Sequence, residues 1–320
     1  MWLDELMYRD KLNIGKDVTF GVEIEFDKAR KRDIKEVLDK AYYDKVIDKK
    51  WDVVDEETIC ESGDKNYMFG GEAVSDILTD NENTWKNINY TCDKIKIFDG
   101  KINKNCGAHV HVGADVFRDD MKYYDRLMKL WLIYEDVILR FCYGEFDRVR
   151  DLCFNFARSP YLLFKIIYDH YYNKHKLNLS FEKFVDLMGN NINKNFSLSF
   201  CRLSKEFLGN RYKIINDWYN YRTLEFRGGN GTLNPVIWQN YINLYTKLLL
   251  CCLDDNKNWD IIDKRFIDTY NCETLENYNY EKALEFSNFV FVSEIDKHNF
   301  MLQYMKNNSY SKVKKRDKLI

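Results

Sequence analysis

Residues 17–27 read DVTFGVEIEFD, and the alternation in them is strict. Val18, Phe20, Val22, Ile24 and Phe26 fall on one side of an extended chain, and Thr19, Glu23 and Glu25 fall on the other. Five apolar side chains on one face predict a strand with that face packed on a core. Two glutamates on the other face are, taken alone, what a half-buried strand turns to water. Working outward, the same split recurs. In CGAHVHVG, residues 106–113, Ala108, Val110 and Val112 face one way and His109 and His111 the other. In YRTLEFRGG, residues 221–229, Leu224 and Phe226 face the core, while Tyr221, Thr223, Glu225 and Arg227 face away. A fourth segment, GGEAVSDIL at 70–78, carries Glu72 directly after two glycines.

Periodicity elsewhere predicts a helix at about 32–45, strands at about 51–59 and 70–78, a helix at about 82–97 and a long helical region at about 120–188. Strands return at about 211–216 and 221–227, and helices fill most of the rest. Pro160 and Pro235, the two prolines of the chain, each follow a good cap residue (Ser159, Asn234) and open an apolar helical pattern. This interleaving predicts an α+β fold, an antiparallel sheet with helices on one face.

The 320 residues suffice for one large domain with a sizeable core. With 45% hydrophobic and 31% charged residues the chain reads as globular. A formal net charge of −2 argues against nucleic acid as a partner, and no apolar run reaches membrane-spanning length. The basic tail KVKKRDKLI reads as a solvated terminus. Nine cysteines with no CxxC spacing exclude a zinc framework of that kind. Their odd number and the absence of a signal-peptide pattern predict reduced thiols in a cytoplasmic protein. His170 and His175 lie five apart and read as structural. GGNGT at 228–232 lacks the Gly-Lys-Ser/Thr run of a P-loop and reads as a turn.

An ExE pair or an HxH pair alone has an ordinary reading, as a solvated face or as structural histidines. Together, Glu23, Glu25, Glu72, His109 and Glu225 form a set rich in carboxylate oxygen with one nitrogen. That set suits Mg²⁺ or Mn²⁺ better than a structural zinc. Arg227 beside such ions suits phosphate, which its planar fork grips. Metals, phosphate and a preformed sheet point to phosphoryl transfer.

FGVEIEF, GGEAVS, CGAHVHVG and YRTLEFRGGNGTLNP, in that order, resemble the amidoligases of the glutamine synthetase and glutamate–cysteine ligase superfamily of carboxylate–amine ligases. The resemblance runs from about residue 17 to about 250. It implies a curved, mainly antiparallel sheet with helices on its outer face, like the glutamine synthetase catalytic domain. Residues 1–254 would form the catalytic domain, with a helical insertion at about 118–208, and residues 255–320 a C-terminal helical extension of it. It implies an ATP-dependent ligase that phosphorylates a small-molecule or peptide carboxylate and passes the acyl group to an amine, with ATP and Mg²⁺ (or Mn²⁺) on the concave face. Carried over, Glu25 and Glu72 would hold one ion, and Glu23, His109 and Glu225 the other. Arg227 would face the phosphoryl group in transfer, with Glu23 and Glu25 as its catalytic companions. Arg211 in NRYKIIN matches a family arginine that contacts phosphate or substrate; a surface salt bridge is the ordinary reading. His111 touches substrate or braces its strand. Glu61 in CESGD stands where the family often has an Asp-Gly-Ser-like turn, and is either a substrate-side base or part of an ordinary turn. Two rival classes stay open: a non-catalytic relative binding a peptide or nucleotide, and a metal-dependent hydrolase or oxygenase built on HxH and Glu.

Overall fold

The computed structural model describes residues 6–56, 59, 68–142, 157–169, 180–191, 195–204, 222–270, 274–275, 279–306 and 314–315. Its centre is an open sheet in the order β2-β3-β1-β5-β7-β6, with a short β4 on β1, every pairing antiparallel. The strands are β1 (Thr19–Arg30), β2 (Trp51–Val54), β3 (Phe69–Ser75), β4 (Leu78–Thr79), β5 (Gly107–Gly113), β6 (Leu198–Ser199) and β7 (Thr223–Asn230). The three strands with the alternating pattern are thus direct neighbours in the middle of the sheet.

The register decides what meets across the strands. Glu23 stands opposite His109, Glu25 opposite Glu72, Gly21 opposite His111, and His111 opposite Glu225. Between β5 and β7 the register slips between Ala108 and Val110, which pair with Gly229 and Phe226. The extra residue on β7 is a bulge, the usual device for re-aiming side chains beside a site.

The other face is the core. Phe20 stacks on Trp85 at 5.7 Å between ring centroids. Phe226 meets Trp131 at 5.7 Å and stacks on Tyr245 at 4.2 Å. Those rings come from α2 (Glu82–Ile97), α3 (Met121–Phe141) and α6 (Pro235–Leu253). Helix α2 starts where the Asn81 side chain accepts from Thr84 N, and α6 where Asn234 accepts from Val236 N with Pro235 in the first turn. Helix α1 (Lys31–Tyr43) packs on β1 and β2 and buries Ile34, Leu38 and Ala41, the i, i+4, i+7 stripe of an amphipathic helix. In α3 and α6 most residues are buried, because a second layer covers them: α7 (Trp259–Tyr270), α8 (Tyr280–Val290) and α9 (Glu294–Lys306) pack on α3, and α8 and α9 also on α6.

Several expectations are corrected. The strand expected at 51–59 ends at Val54, and the one at 70–78 is two strands, β3 and β4. The helical stretch expected at 120–188 is broken: α3 kinks at Tyr134 (φ −114°, ψ 17°), and α4 (Tyr161–Ile167) and α5 (Phe181–Asn191) are separate helices. Pro160 sits one position earlier than expected, with Ser159 Oγ accepting from Tyr161 N. The strand expected at 211–216 lies outside the described residues, as do His170, His175, Glu61 and Arg211.

Candidate metal centre

The five expected ligands on the polar face of β1, β3, β5 and β7 are buried rather than solvated. Relative exposure is 8% for Glu23, 3% for Glu25, 8% for Glu72, 2% for His109 and 3% for Glu225. This overturns the reading of the ExE pair as an ordinary wet face: burying four carboxylates without strong partners costs several kcal/mol. The arrangement brings the five together in two groups that share His109. Ligand atoms of Glu23, His109 and Glu225 lie within 4.8 Å of one another, and so do those of Glu25, Glu72 and His109.

Among the described residues, histidine, arginine and backbone donors meet the acids. His109 Nδ1 lies 3.0 Å from Glu23 Oε2 and 3.5 Å from Glu72 Oε1. His109 Nε2 is 3.4 Å from Glu25 Oε1, but it is buried and makes no hydrogen bond. His111 Nε2 meets Glu23 Oε1 at 2.9 Å, and its Nδ1 meets Thr223 Oγ1 at 3.3 Å. Arg227 Nη1 donates to Glu225 Oε1, and Gly107 N donates to Glu25 Oε2. Arg202 Nη2 donates to Glu23 Oε1 at 3.2 Å.

The protonation states follow from this crowding. Burial and the charge of Arg227 oppose a proton on His109, yet Glu25, Glu23 and Glu72 outweigh them and raise its pKa to about 9. Burial, then the charge of Glu23, raises Glu72 to about 8. Glu23 goes the other way: burial would raise it, but His111 and His109 hold it well below the usual carboxylate range. Arg227, then His111, likewise lowers Glu225 against its burial. Glu225 in turn raises Arg227, overcoming the desolvation of its guanidinium.

A basin of four buried carboxylates around one histidine, whose Nε2 is buried without a hydrogen bond, fits divalent cations. The oxygen-rich, single-nitrogen donor set suits Mg²⁺ or Mn²⁺. Compared with known families, residues 16–249 match the family described as "Putative amidoligase enzyme". The chain belongs to this family. A comparison with curated proteins returns no match. The family match covers all five clustered residues together with Arg202 and Arg227; among the described residues, α7 to α9 fall beyond it.

Of the expected site residues, Glu23, Glu25, Glu72, His109, His111, Glu225 and Arg227 meet on one face. Arg202 was missed. It lies in a 3₁₀ turn, Cys201–Leu203, just after β6. Its sequence signal is a lone charge inside the apolar run LSFCRL, and lone charges in such runs are buried only with a partner. The described helices hold no candidate membrane span.

Proposed function

We propose that the protein is an ATP-dependent carboxylate–amine ligase acting on a small-molecule or peptide acid, with Mg²⁺ or Mn²⁺ in the basin and the nucleotide on the same sheet face, in the manner of the glutamine synthetase catalytic domain. The observation that carries this reading is the convergence of the two ligand groups on His109, whose Nε2 is buried without a hydrogen bond. The family match supports amide-bond ligation as the reaction class.

The chemistry joins two anions. The γ-phosphoryl group passes from ATP to a carboxylate oxygen and releases ADP. An amine then attacks the acyl carbon, loses a proton and expels phosphate, leaving an amide. Glu25 and Glu72 would hold one cation, and Glu23, His109 and Glu225 the other. Bound there, such cations would draw the phosphate oxygens together and neutralise the charge that shifts in transfer. The residues' own parts are distinct. Arg227, locked to Glu225, presents a charge that never titrates at the place where phosphoryl oxygens gather. His111, anchored by Thr223, fixes Glu23 in its rotamer and is read as a brace rather than a substrate contact. Burial excludes the water that would hydrolyse an acyl phosphate.

The test is phosphate release by the purified full chain with ATP and Mg²⁺, alone and with pools of amines and acids. Release that requires ATP, metal, acid and amine together, with a stoichiometric amide product, is the expected result. Metal-dependent hydrolysis of an ester or peptide without ATP would replace the ligase with the HxH/Glu hydrolase. Nucleotide binding with no turnover of any pair would leave a non-catalytic relative.

A further inference from the structure

Arg202 meets both Glu23 and a cavity. Its Nη2 donates to Glu23 Oε1 at 3.2 Å, an oxygen that already accepts from His111 at 2.9 Å. Its Nε is buried with no hydrogen-bond partner. The same side chain and Glu23 both wall a cavity of about 160 Å³, lined also by Thr19, Gly21, Ser75, Asp76, His111 and Thr223. Gly21 lies on the polar face of β1 between Thr19 and Glu23, and its missing side chain leaves the floor open. A Cβ there would meet nothing closer than Ser75 Oγ at 3.6 Å and His111 Cβ at 4.0 Å.

The cavity is chemically specific. Among the described residues that line it, Arg202 and His111 are the basic side chains and Glu23 and Asp76 the acidic ones, with three hydroxyls (Thr19, Ser75, Thr223) beside them. Asp76, exposed at the mouth, disfavours a polyanion such as a nucleotide triphosphate. The volume is below the roughly 300–1,000 Å³ of pockets for drug-sized ligands. These features select a small acid whose carboxylate meets the guanidinium fork edge-on, which would use the unpartnered Nε.

The pair with Glu23 supplies the coupling. Glu23 belongs to the ligand group with His109 and Glu225. A cation drawing on Glu23 removes the negative charge that holds Arg202 and repels its guanidinium. The freed guanidinium already faces the cavity that it walls. We propose that Arg202 is the carboxylate-binding residue for the acid substrate, parked on Glu23 until a divalent cation takes that carboxylate, so that metal binds first and makes the substrate subsite competent. This rests on the ligase reading above for the identity of the occupant.

The experiment is Mn²⁺ calorimetry on the full chain, with and without glutarate as the carboxylate probe and inorganic phosphate as its competitor class. Arg202→Met removes a cation competing for Glu23, so Mn²⁺ should bind about three- to tenfold more tightly than in wild type. Glutarate should tighten Mn²⁺ binding to wild type at least fivefold, the low end of ordinary coupling. That coupling should vanish in Arg202→Met. Gly21→Val, which fills the cavity floor, should lose the glutarate coupling but keep wild-type Mn²⁺ affinity, a split that a merely structural role for Arg202 does not produce. Should Arg202→Met fail to fold, Arg202→Gln, which keeps a donor without the charge, decides. Unchanged or weaker Mn²⁺ binding in the Arg202 variant overturns the proposal. So does glutarate coupling that survives either substitution or is absent from wild type, or coupling to phosphate alone. If wild type binds no Mn²⁺, the ligase reading itself falls; if it binds Mn²⁺ and only the Arg202 arms fail, that reading stands and the parked arginine does not.

Discussion

The molecule buries glutamate in two ways. Glu135, in the middle of α3, is fully enclosed, and its oxygens accept from Trp131 Nε1 at 3.3 Å, Ser159 Oγ at 2.6 Å and Ser197 Oγ at 3.5 Å. Among its described contacts, neutral donors from separate segments converge on one carboxylate and tie α3 to the start of α4 and to β6. Across the sheet, the described contacts of four carboxylates include two histidines, two arginines and one backbone N–H, and His109 Nε2 makes no hydrogen bond. The first arrangement ties segments together and serves the fold. The second crowds like charges, is unfinished at His109 Nε2, and shifts the proton affinities of its members. Both are buried; the crowding of acids on shared histidines is what separates a binding acid from a structural one.

The largest effect should fall on the unfinished side. Arg227→Lys keeps the charge but loses the planar fork, and should lower turnover by about 10²–10³, the scale of one lost electrostatic stabiliser. Nucleotide binding by calorimetry should change little. Abolished ATP binding with unchanged turnover at saturation would make Arg227 a ground-state clamp. His109→Ala should instead weaken Mn²⁺ binding itself, with partial recovery in excess Mn²⁺.

Glu135→Ala should do the reverse. It leaves buried hydroxyl and indole donors unpaired and should cost about 3 kcal/mol in chemical denaturation. Added Mn²⁺ should not shift that loss relative to wild type. A loss that disappears on metal loading would dissolve the contrast between the two acids.

The third effect is pH-dependent and has a definite sign. Glu72 is raised from 4.5 to about 8 and His109 from 6.5 to about 9, so the metal-free fold holds protons that the unfolded chain has given up. Their stabilising contributions are complete below about pH 4.5 and 6.5 and are lost as pH climbs through 8 and 9. Metal-free stability should therefore fall between about pH 5 and 9, by on the order of 1 kcal/mol per unit for each group at its steepest. Glu72→Gln should flatten the lower part of that slope. A stability rising with pH across this window would show that the basin does not hold those protons.

The smallest effect is the proton count. Mn²⁺ should displace protons from His109 and Glu72, so binding at pH 7 should release between about one and two, read from calorimetry in buffers of different ionisation enthalpy. Affinity should rise with pH up to about 9. No release would mean that the ion avoids both groups.

Much of this was legible in residues 17–27, 106–113 and 221–229, because side-chain alternation is a local property of extended chain. A strand that buries Val18 to Phe26 must turn Glu23 and Glu25 to the opposite face, whatever its neighbours. The cap at Asn234 was legible for the same reason, since its side chain bonds to an amide within its own first turn. The lengths of β2 and α3 were not, since the end of β2 at Val54 depends on its pairing with β3, and the kink at Tyr134 lies inside an unbroken helical pattern.

Sequence by itself therefore determined which side chains share a strand face, and through its ordered motifs the family. Only the tertiary structure decided that β3, β1, β5 and β7 lie side by side, that Glu23 meets His109 and Glu25 meets Glu72, and that these side chains are buried. It also placed Arg202 on a carboxylate 179 positions away in the chain. Strand order and register arise from pairings between distant segments, whose energies depend on the whole sheet and its helical cover. No periodicity within one segment carries that information.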